Sequence, residues 1–282
     1  MFDIIKNNKQ TIYFIGDIHG EFKAISSWIS LHDLHDCIII FCGDFGLGFN
    51  SLQKTYQDLI HANKKAEERN IDIYALRGNH DDPAYYNNPS INLNLSRFKP
   101  LSDYTVIQTP EHNILCLGGA VSTDRSYRID CYNTSITKYM IKHRCSEQKA
   151  RENVKLYWWE DEAFVYNEDV LNEIINTIPN IDVICSHSAP DFCFPETSGR
   201  VEYWCEQDPT LKDDLTHERQ MLTNVIEFLK INNITPKNWF YGHYHQHHSE
   251  DINGTRYTLL NMGREGKTST YPGGYFDMIE LI

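Results

Sequence analysis

The chain has 282 residues, of which 41% are hydrophobic and 23% are charged. This composition excludes a disordered or fibrous protein, and the length suits one globular domain over residues 1–282. The formal net charge of −13 argues against a surface that neutralises the many phosphates of a long nucleic acid.

The N-terminus lacks a basic segment followed by an apolar one, and no later apolar run approaches the roughly 18 residues of a membrane span. We therefore expect a cytoplasmic protein without a membrane partner. The eight cysteines form no C-x-x-C pair, and several lie in apolar runs such as the one from Cys37 to Cys42. This pattern predicts reduced thiols in the core rather than disulfides.

Short apolar, β-branched runs alternate with helical patterns through the first half of the chain, which predicts an α/β sandwich. The predicted strands of this half are 11–15, 37–42 and 71–76. The predicted helices are 21–31 and 51–69, and Ser51 is positioned to cap the second helix.

The second half of the chain has a similar alternation with longer interruptions. Its predicted strands are 104–109, 114–117, 181–185, 239–241, 256–260 and 275–281, and its predicted helices are 168–178 and 214–231. The stretches 122–165 and 188–213 look less regular, and neither has enough apolar periodicity for a core of its own. We predict that both are surface insertions that form the rim of a substrate site.

A polar cluster follows each of five predicted strands. The clusters are Gly16-Asp17-Ile18-His19-Gly20, Gly43-Asp44, Gly78-Asn79-His80-Asp81, Ser186-His187 and Gly242-His243-Tyr244-His245. Because ligands of open α/β sheets bind at the carboxyl ends of the strands, these clusters can converge. Oxygen and imidazole ligands together suit divalent Mn, Fe, Zn or Ni, and the absence of cysteine argues against a thiolate zinc site. One histidine after a strand would be unremarkable, but five such clusters predict a metal site.

The order of these motifs, from Asp17 to His245, resembles that of the calcineurin-like metallophosphoesterases. The resemblance implies a four-layer α/β/β/α sandwich with two mixed sheets and surface insertions. It also implies a dinuclear metal site, in which Asp17, His19 and His245 bind the first ion, Asn79, His187 and His243 bind the second, and Asp44 bridges both. His80 would then be the catalytic residue near the leaving group or the substrate phosphate.

This assignment has a chemical rationale. Two cations roughly 3.5–4 Å apart can clamp phosphate oxygens and acidify a bridging water into a nucleophile. In-line attack then needs a proton donor on the opposite side, for which the histidine pKa range is suitable. We expect two divalent ions, with Mn²⁺ as the first choice and Fe, Zn or Ni as alternatives.

The sequence departs from the protein phosphatases of this family, which typically contain Gly-Asp-x-x-Asp-Arg-Gly and Gly-Asn-His-Glu. In this chain Leu47 occupies the position of the second Asp, Gly48 occupies that of the Arg, and Asp81 occupies that of the Glu. His80 therefore lacks the usual carboxylate partner, and phosphate binding lacks one usual guanidinium. The departure argues against a protein phosphatase.

Replacement cations for the phosphate are Arg125 and Arg128, which would share a face if their segment is helical. The alternative is that both are solvated charges that pair with Asp124 or Asp130. In the same insertion, Asp161 and Glu162 follow Trp158 and Trp159, and the pattern favours an edge packed by those rings over a third acidic site.

The favoured function is a phosphatase that hydrolyses a phosphomonoester of a small molecule, a nucleotide or a phosphopeptide. A phosphodiesterase or nuclease on the same site is the alternative, favoured by Asp81 and Leu47, although the acidic charge argues against long nucleic acids. A third alternative is a non-catalytic scaffold, against which the complete ligand set and His80 argue. The sequence sets neither the oligomeric state nor the substrate.

Overall fold

The computed structural model describes residues 2–195, 201–263 and 276–281. The helices and strands of these residues, in chain order, are β1 (Ile4–Lys6), β2 (Thr11–Ile15), α1 (Phe22–Leu31), β3 (Cys37–Phe41), α2 (Leu52–Glu68), β4 (Asp72–Ala75), α3 (Ala84–Asn87), β5 (Phe98–Pro100), β6 (Thr105–Gln108), β7 (Asn113–Leu117), α4 (Arg125–His143), α5 (Glu147–Arg151), α6 (Glu168–Thr177), β8 (Val183–Ser186), α7 (Val201–Gln207), α8 (Leu211–Ile231), β9 (Asn238–Tyr241), β10 (His248–Ile252), β11 (Thr255–Leu259) and β12 (Met278–Glu280). Among the helices described, none combines the length and the apolar character that crossing a membrane requires.

A five-stranded sheet has the order β12-β2-β3-β4-β5, and only β12 runs antiparallel to its neighbour. Its strand β3 is buried on both faces. Ile38 and Ile40 point to the core between the sheets, whereas Ile39 and Phe41 point to the core that includes residues of α1 and α2. Burial on both faces explains the continuous apolar run of this strand.

A seven-stranded sheet has the order β1-β6-β7-β8-β9-β11-β10, with antiparallel pairs at β6-β7 and β10-β11. Residues of α6 and α8 form one core with its outer face. Its inner face packs on the five-stranded sheet, where the rings of Phe14 and Phe240 stack with centroids 4.1 Å apart. The α/β sandwich with two mixed sheets is confirmed, and helices cover both outer faces.

Most predicted elements of both halves are present within a few residues. Ser51 caps α2 by accepting a hydrogen bond from the backbone N–H of Lys54. The predicted start of the last long helix at residue 214 is wrong. The helix α8 begins at Leu211, because Asp213 and Asp214 occupy its first turn, where carboxylates favour the N-terminus of a helix. The predicted strand 275–281 is Met278–Glu280, and Tyr275 lies outside the described residues.

The prediction of little regular structure in 122–165 is wrong, because this stretch contains α4 and α5. Among the 19 residues of α4, Ile136 is the buried one. A helix with so little buried surface has no apolar stripe by which its sequence could reveal it. The stretch 188–213 contains α7 and the start of α8, and its residues 196–200 are outside the described part.

The cysteines are all free thiols. Five are buried, at positions 37, 42, 116, 185 and 193. Cys131 is exposed, whereas Cys145 and Cys205 are half-buried, so the prediction of core thiols is wrong for these three. Cys131 departs most clearly because it lies on the exposed side of α4.

Candidate metal centre

The candidate ligands lie at one end of the sandwich, directly after the carboxyl ends of five strands. Asp17 and His19 follow β2, Asp44 follows β3 and Asn79 follows β4, all in the five-stranded sheet. The remaining three follow β8 and β9 of the seven-stranded sheet, and they are His187, His243 and His245. The predicted convergence of these residues is therefore what the fold produces.

One group, here called the Asp17 group, consists of Asp17, His19 and His245. With Asp44, each offers one ligand atom, and these four atoms lie within 4.8 Å of one another. The Nε2 atoms of His19 and His245 are 3.0 Å apart, and His245 Nε2 is 3.1 Å from Asp17 Oδ2. That carboxylate oxygen is buried and has no hydrogen bond of acceptable geometry. Donor atoms that crowd around one point in this way fit a cation.

A second group, here called the Asn79 group, consists of Asn79, His187 and His243. His187 Nε2 lies 3.2 Å from Asn79 Oδ1 and 3.2 Å from Asp44 Oδ1. The ring Nδ1 of His187 donates to the Cys42 carbonyl at 2.8 Å, which leaves Nε2 free to act as a ligand. The His243 ring lies beside His187, with centroids 5.0 Å apart.

Asp44 lies between the two groups. Its Oδ1 faces His187 at 3.2 Å, whereas its Oδ2 is 3.8 Å from His19 Nδ1. The backbone N–H of His80 also donates to Oδ1 at 2.7 Å. A carboxylate with one oxygen toward each group has the placement that a bridging ligand needs.

Four candidate ligands have backbone conformations in the left-handed region. The φ angles are 45° at His19, 46° at Asp44, 70° at His243 and 53° at His245. Such conformations are uncommon for residues other than glycine and cost about 1–3 kcal/mol each where the surroundings impose them. Their concentration at one set of strand ends indicates that the backbone is shaped for a functional site.

Two glycines allow the backbone to approach the carboxylates closely. A Cβ atom at Gly78 would lie 2.2 Å from Asp44 Oδ1, and one at Gly242 would lie 2.2 Å from Asp17 Oδ1. Any larger residue would displace a candidate ligand. These glycines therefore belong to the site as much as the side chains that they border.

The site has an excess of buried negative charge. Asp17 is 0% exposed and Asp44 is 1% exposed, and their ion pairs within the described residues are all with histidines. Burial opposes ionisation, but His187 lowers the pKa of both carboxyl groups, that of Asp44 well below its usual range. Burial lowers the pKa of His187, but the two aspartates outweigh burial and raise this pKa to about 10. Carboxylates that draw a proton onto a buried histidine provide a field suited to a cation.

His80 lies in the cavity beside these groups, and its partner is Arg128. The Nη2 atom of Arg128 is 2.8 Å from His80 Nε2, and Asp124 holds the Nε of Arg128 at 2.7 Å. Burial lowers the pKa of His80 to about 4, Asp44 opposes this shift, and Arg128 adds to it. The close polar neighbour of the His80 ring is thus a guanidinium.

Arg125 does not reach the cavity. Its guanidinium pairs with Asp208 at 2.5 Å and with Asp214 at 2.6 Å, and it also donates to Thr210. It thereby ties the first insertion to the second. The pairing of Arg128 with Asp124 matches the alternative drawn from the sequence, but the partners of Arg125 are neither Asp124 nor Asp130.

Asp81 has a structural role that sequence reasoning missed. Its buried carboxylate accepts hydrogen bonds from the backbone N–H groups of Phe45, Gly46, Leu47 and Gly78, at 2.7–3.1 Å. Burial, and then Asp44, raise the pKa of Asp81 to about 7. Asp81 therefore fastens the loop after Asp44 to the loop that carries Asn79.

Ser122 and Glu162 were also missed as parts of the site. Ser122 Oγ accepts a hydrogen bond from Asn79 Nδ2 at 3.1 Å and donates to Glu162 Oε2 at 2.8 Å. Glu162 is 3% exposed, and Trp158 Nε1 donates to its Oε1 at 3.1 Å, so a tryptophan does contact it as predicted. Ser122 follows β7, which lies beside β8, so a search for polar residues after every strand would have found it.

The cavity has a volume of about 370 Å³. Asp44, Asn79, His80, His243 and His245 contribute to its wall. Thr123, Asp124 and Arg128 of the first insertion, together with Pro195 and Trp204 of the second, also line it. Both insertions therefore border the space above the candidate ligands.

The family model of the calcineurin-like phosphoesterases matches residues 10–247, so the chain belongs to this family. This confirms the resemblance drawn from the motifs between Asp17 and His245. A search of curated protein sequences finds no significant match.

Three solved structures illustrate the matches found. A protein described as a 5′-nucleotidase from Staphylococcus aureus is 13% identical over 89% of this chain and 48% of its own, with a TM-score of 0.47. The chain thus spans about half the length of that protein. The anchor of the inner membrane complex of Plasmodium is 12% identical over 98% of this chain and 82% of its own, with a TM-score of 0.44. The phosphopantetheinyl hydrolase of Mycobacterium tuberculosis is 13% identical over 89% of each chain, with a TM-score of 0.38.

Proposed function

We propose that this member of the calcineurin-like phosphoesterase family is a phosphatase that hydrolyses a phosphomonoester with two divalent cations. The Asp17 group would hold one ion and the Asn79 group the other, with Asp44 shared between them. The observation that carries the proposal is the convergence of these seven side chains beside a cavity that also contains His80 and Arg128.

The charge of the buried side chains suits the binding of cations. The two buried carboxylates favour positive charge, their ion pairs within the described residues are with histidines and not with lysine or arginine, and Asp17 Oδ2 has no hydrogen bond of acceptable geometry. When bound, a pair of such ions would polarise the phosphate and lower the pKa of a water molecule.

The remaining chemistry falls to two side chains outside the ligand set. Arg128 presents a guanidinium to the cavity, and this group suits bidentate contact with phosphate oxygens. His80 lies within hydrogen-bond distance of the same guanidinium, so a phosphate held there would be next to the imidazole. We propose that His80 donates a hydrogen bond to the leaving oxygen, because its lowered pKa keeps the imidazole uncharged near neutral pH.

The two insertions favour a small monoester over a polymeric diester. They line the cavity together with several candidate ligands, and a volume of about 370 Å³ suits one small molecule or nucleotide. The carboxylate of Asp124 in the same wall and the net charge of −13 disfavour a long polyanion. We propose a phosphorylated small molecule, nucleotide or phosphopeptide as substrate, Mn²⁺ as the first ion to test, and the cytoplasm as the compartment.

The test compares hydrolysis of p-nitrophenyl phosphate and bis-p-nitrophenyl phosphate by the purified protein with Mn²⁺. We expect the monoester to turn over faster, and the Asp44→Asn variant to be inactive toward both, which controls for a contaminating phosphatase. Turnover of the diester alone would contradict the monoester assignment and support a phosphodiesterase. Activity toward neither compound, in protein that binds no transition metal, would contradict the proposal as a whole.

A further inference from the structure

The side-chain amide of Asn79 can act as a ligand in only one of its two orientations. Its Oδ1 faces His187 Nε2 at 3.2 Å, while its Nδ2 donates to Ser122 Oγ at 3.1 Å. If the amide turned over, an NH₂ group would face the ion position, and an amide NH₂ has no lone pair to offer a cation. The orientation of Asn79 therefore needs a cause outside the ligand set.

Ser122 directs its own proton away from Asn79, so its Oγ meets the amide NH₂ as an acceptor. Its hydroxyl donates to Glu162 Oε2 at 2.8 Å, and its backbone N–H donates to Glu162 Oε1 at 2.6 Å. Trp158 Nε1 also donates to Oε1. Three donors thus converge on Glu162, which matches a carboxylate that only accepts.

We propose that Glu162 is a positioning residue that acts through Ser122 to hold the Oδ1 of Asn79 toward the second metal ion. This inference rests on the proposed role of Asn79 as a ligand. Hydrogen bonds beyond the ligands themselves fix ligand orientation and donor strength in metal sites, and their loss typically costs about 10–100-fold in metal affinity or activity.

The backbone around Glu162 is built to keep the carboxylate in place. The guanidinium of Arg77 donates to the carbonyls of Asp161, Glu162 and Ala163, and forms an ion pair with Asp103 at 2.7 Å. Arg77 lies two positions before Asn79, so the segment that carries Glu162 is tied to the loop that carries the ligand. The first insertion thereby contributes to the metal centre as well as to the cavity wall.

Replacing Glu162 by glutamine should reverse the direction of these hydrogen bonds. The new amide oxygen would have to accept from Ser122 N–H and Trp158 Nε1, which would turn the new NH₂ group toward Ser122 Oγ. Ser122 is fully buried, and within the described residues its Oγ contacts Glu162 and Asn79. Its oxygen would then accept from the new NH₂, and its proton, having lost the carboxylate, would find an acceptor only in the oxygen of the Asn79 amide. Two donors would face each other there, and Asn79 would escape the clash by turning its oxygen away from the ion position.

The experiment is a calorimetric titration of chelator-treated protein with Mn²⁺, supported by a count of bound metal. It is run at about pH 8.5, since burial raises the pKa of Glu162 to about 8 while its donors oppose this shift. We expect two bound ions in the unaltered protein. In Glu162→Gln we expect one ion to bind about 10–100-fold more weakly, with the other unchanged.

A double-mutant cycle tests the orientation itself. In the Asn79→Asp background, the carboxylate at position 79 can accept the reversed proton of Ser122 and still offer an oxygen to the ion. Glu162→Gln should therefore weaken binding of the second ion when residue 79 is Asn, but not when it is Asp. An equal loss of affinity in both backgrounds would overturn the proposal.

Asp182→Asn is the control, because Asp182 is another buried carboxylate that accepts a backbone N–H, from Asn113, and it lies just before β8, at the opposite end of that strand from His187. It should alter thermal stability without affecting either ion. If Glu162→Gln does not fold, Ser122→Ala serves instead, with a loss of about 10-fold expected for one ion. Two ions bound by the unaltered protein with an unchanged Glu162→Gln titration would refute this inference alone, whereas an unaltered protein that binds no ion would refute the proposed function.

Discussion

The two groups of the candidate metal centre differ in how the rest of the protein supports them. In the Asn79 group, His187 is 0% exposed and Asn79 is 3% exposed, and each has a hydrogen bond to a residue that is not a ligand. In the Asp17 group, the side chains of His19 and His245 are 20% and 41% exposed. The close contacts of their ring nitrogens are with other candidate ligands.

This difference indicates which half of the centre is formed before metal binds. Within the Asn79 group, Asn79 and His187 are held by hydrogen bonds that do not need a cation, so we expect these two side chains to keep their geometry in metal-free protein. In the Asp17 group, two imidazole nitrogens 3.0 Å apart have little to hold them in place except each other and Asp17. We therefore expect the second ion to be bound more tightly than the first.

The largest expected effect comes from Asp44→Asn, which affects both groups at once. Asp44 faces His187 and His19, so losing its charge weakens the attraction for both ions. We expect loss of both ions and of detectable phosphoester hydrolysis, measured by metal analysis and by p-nitrophenyl phosphate turnover. A variant that kept one ion at full affinity would show that Asp44 belongs to a single group.

A direct test of the comparison sets His187→Ala against His245→Ala in metal-free protein. Removing His187 leaves two buried carboxylates without their main partner, which should cost about 3–5 kcal/mol of unfolding free energy. Removing the more exposed His245 should cost about 1 kcal/mol or less. Urea unfolding of the two variants measures the difference, and equal losses would contradict it.

Sequence reasoning could group the candidate ligands because their positions follow from topology. Each stands at a strand end, and the five strands present those ends on one side of the sandwich, so residues as far apart as Asp17 and His245 could be grouped without knowing any distance. The supports of the Asn79 group were missed because they depend on hydrogen bonds between segments distant in sequence. Glu162 is hydrogen-bonded to Ser122, which lies 40 positions earlier, and the spacing of apolar residues along the sequence does not predict such a contact.

The structure of the first insertion could not be predicted from its sequence. The helix α4 escaped detection because it buries little apolar surface, although its residues determine which arginine reaches the cavity. Arg125 and Arg128 share its first turn, yet one guanidinium joins Asp208 and Asp214 while the other meets His80. Spacing alone could not separate them, because their partners come from other segments.

His80→Ala examines a residue that lies beside both groups but is proposed to bind neither ion. Its backbone N–H, which donates to Asp44, is retained in the variant, so both ions should stay bound. We expect turnover to fall by roughly 10²-fold or more if the imidazole assists the leaving group. Loss of metal together with activity would place His80 among the ligands instead.

The smallest expected effect compares Arg128→Ala with Arg125→Ala. Arg128 faces the cavity, and a hydrogen bond to a charged group contributes about 1.5–3 kcal/mol, so kcat/KM for a phosphomonoester should fall roughly 10–100-fold. Arg125→Ala should leave kcat/KM nearly unchanged, because the Arg125 charge is already paired with Asp208 and Asp214. Loss of these ion pairs should lower the thermal stability of the variant. The two variants remove the same charge from the same turn of α4, so a difference between them reports on phosphate contact rather than on net charge. If Arg125→Ala impaired hydrolysis as much as Arg128→Ala, the insertions would act on the substrate through their mutual packing, and Arg128 would lose its assigned contact with phosphate.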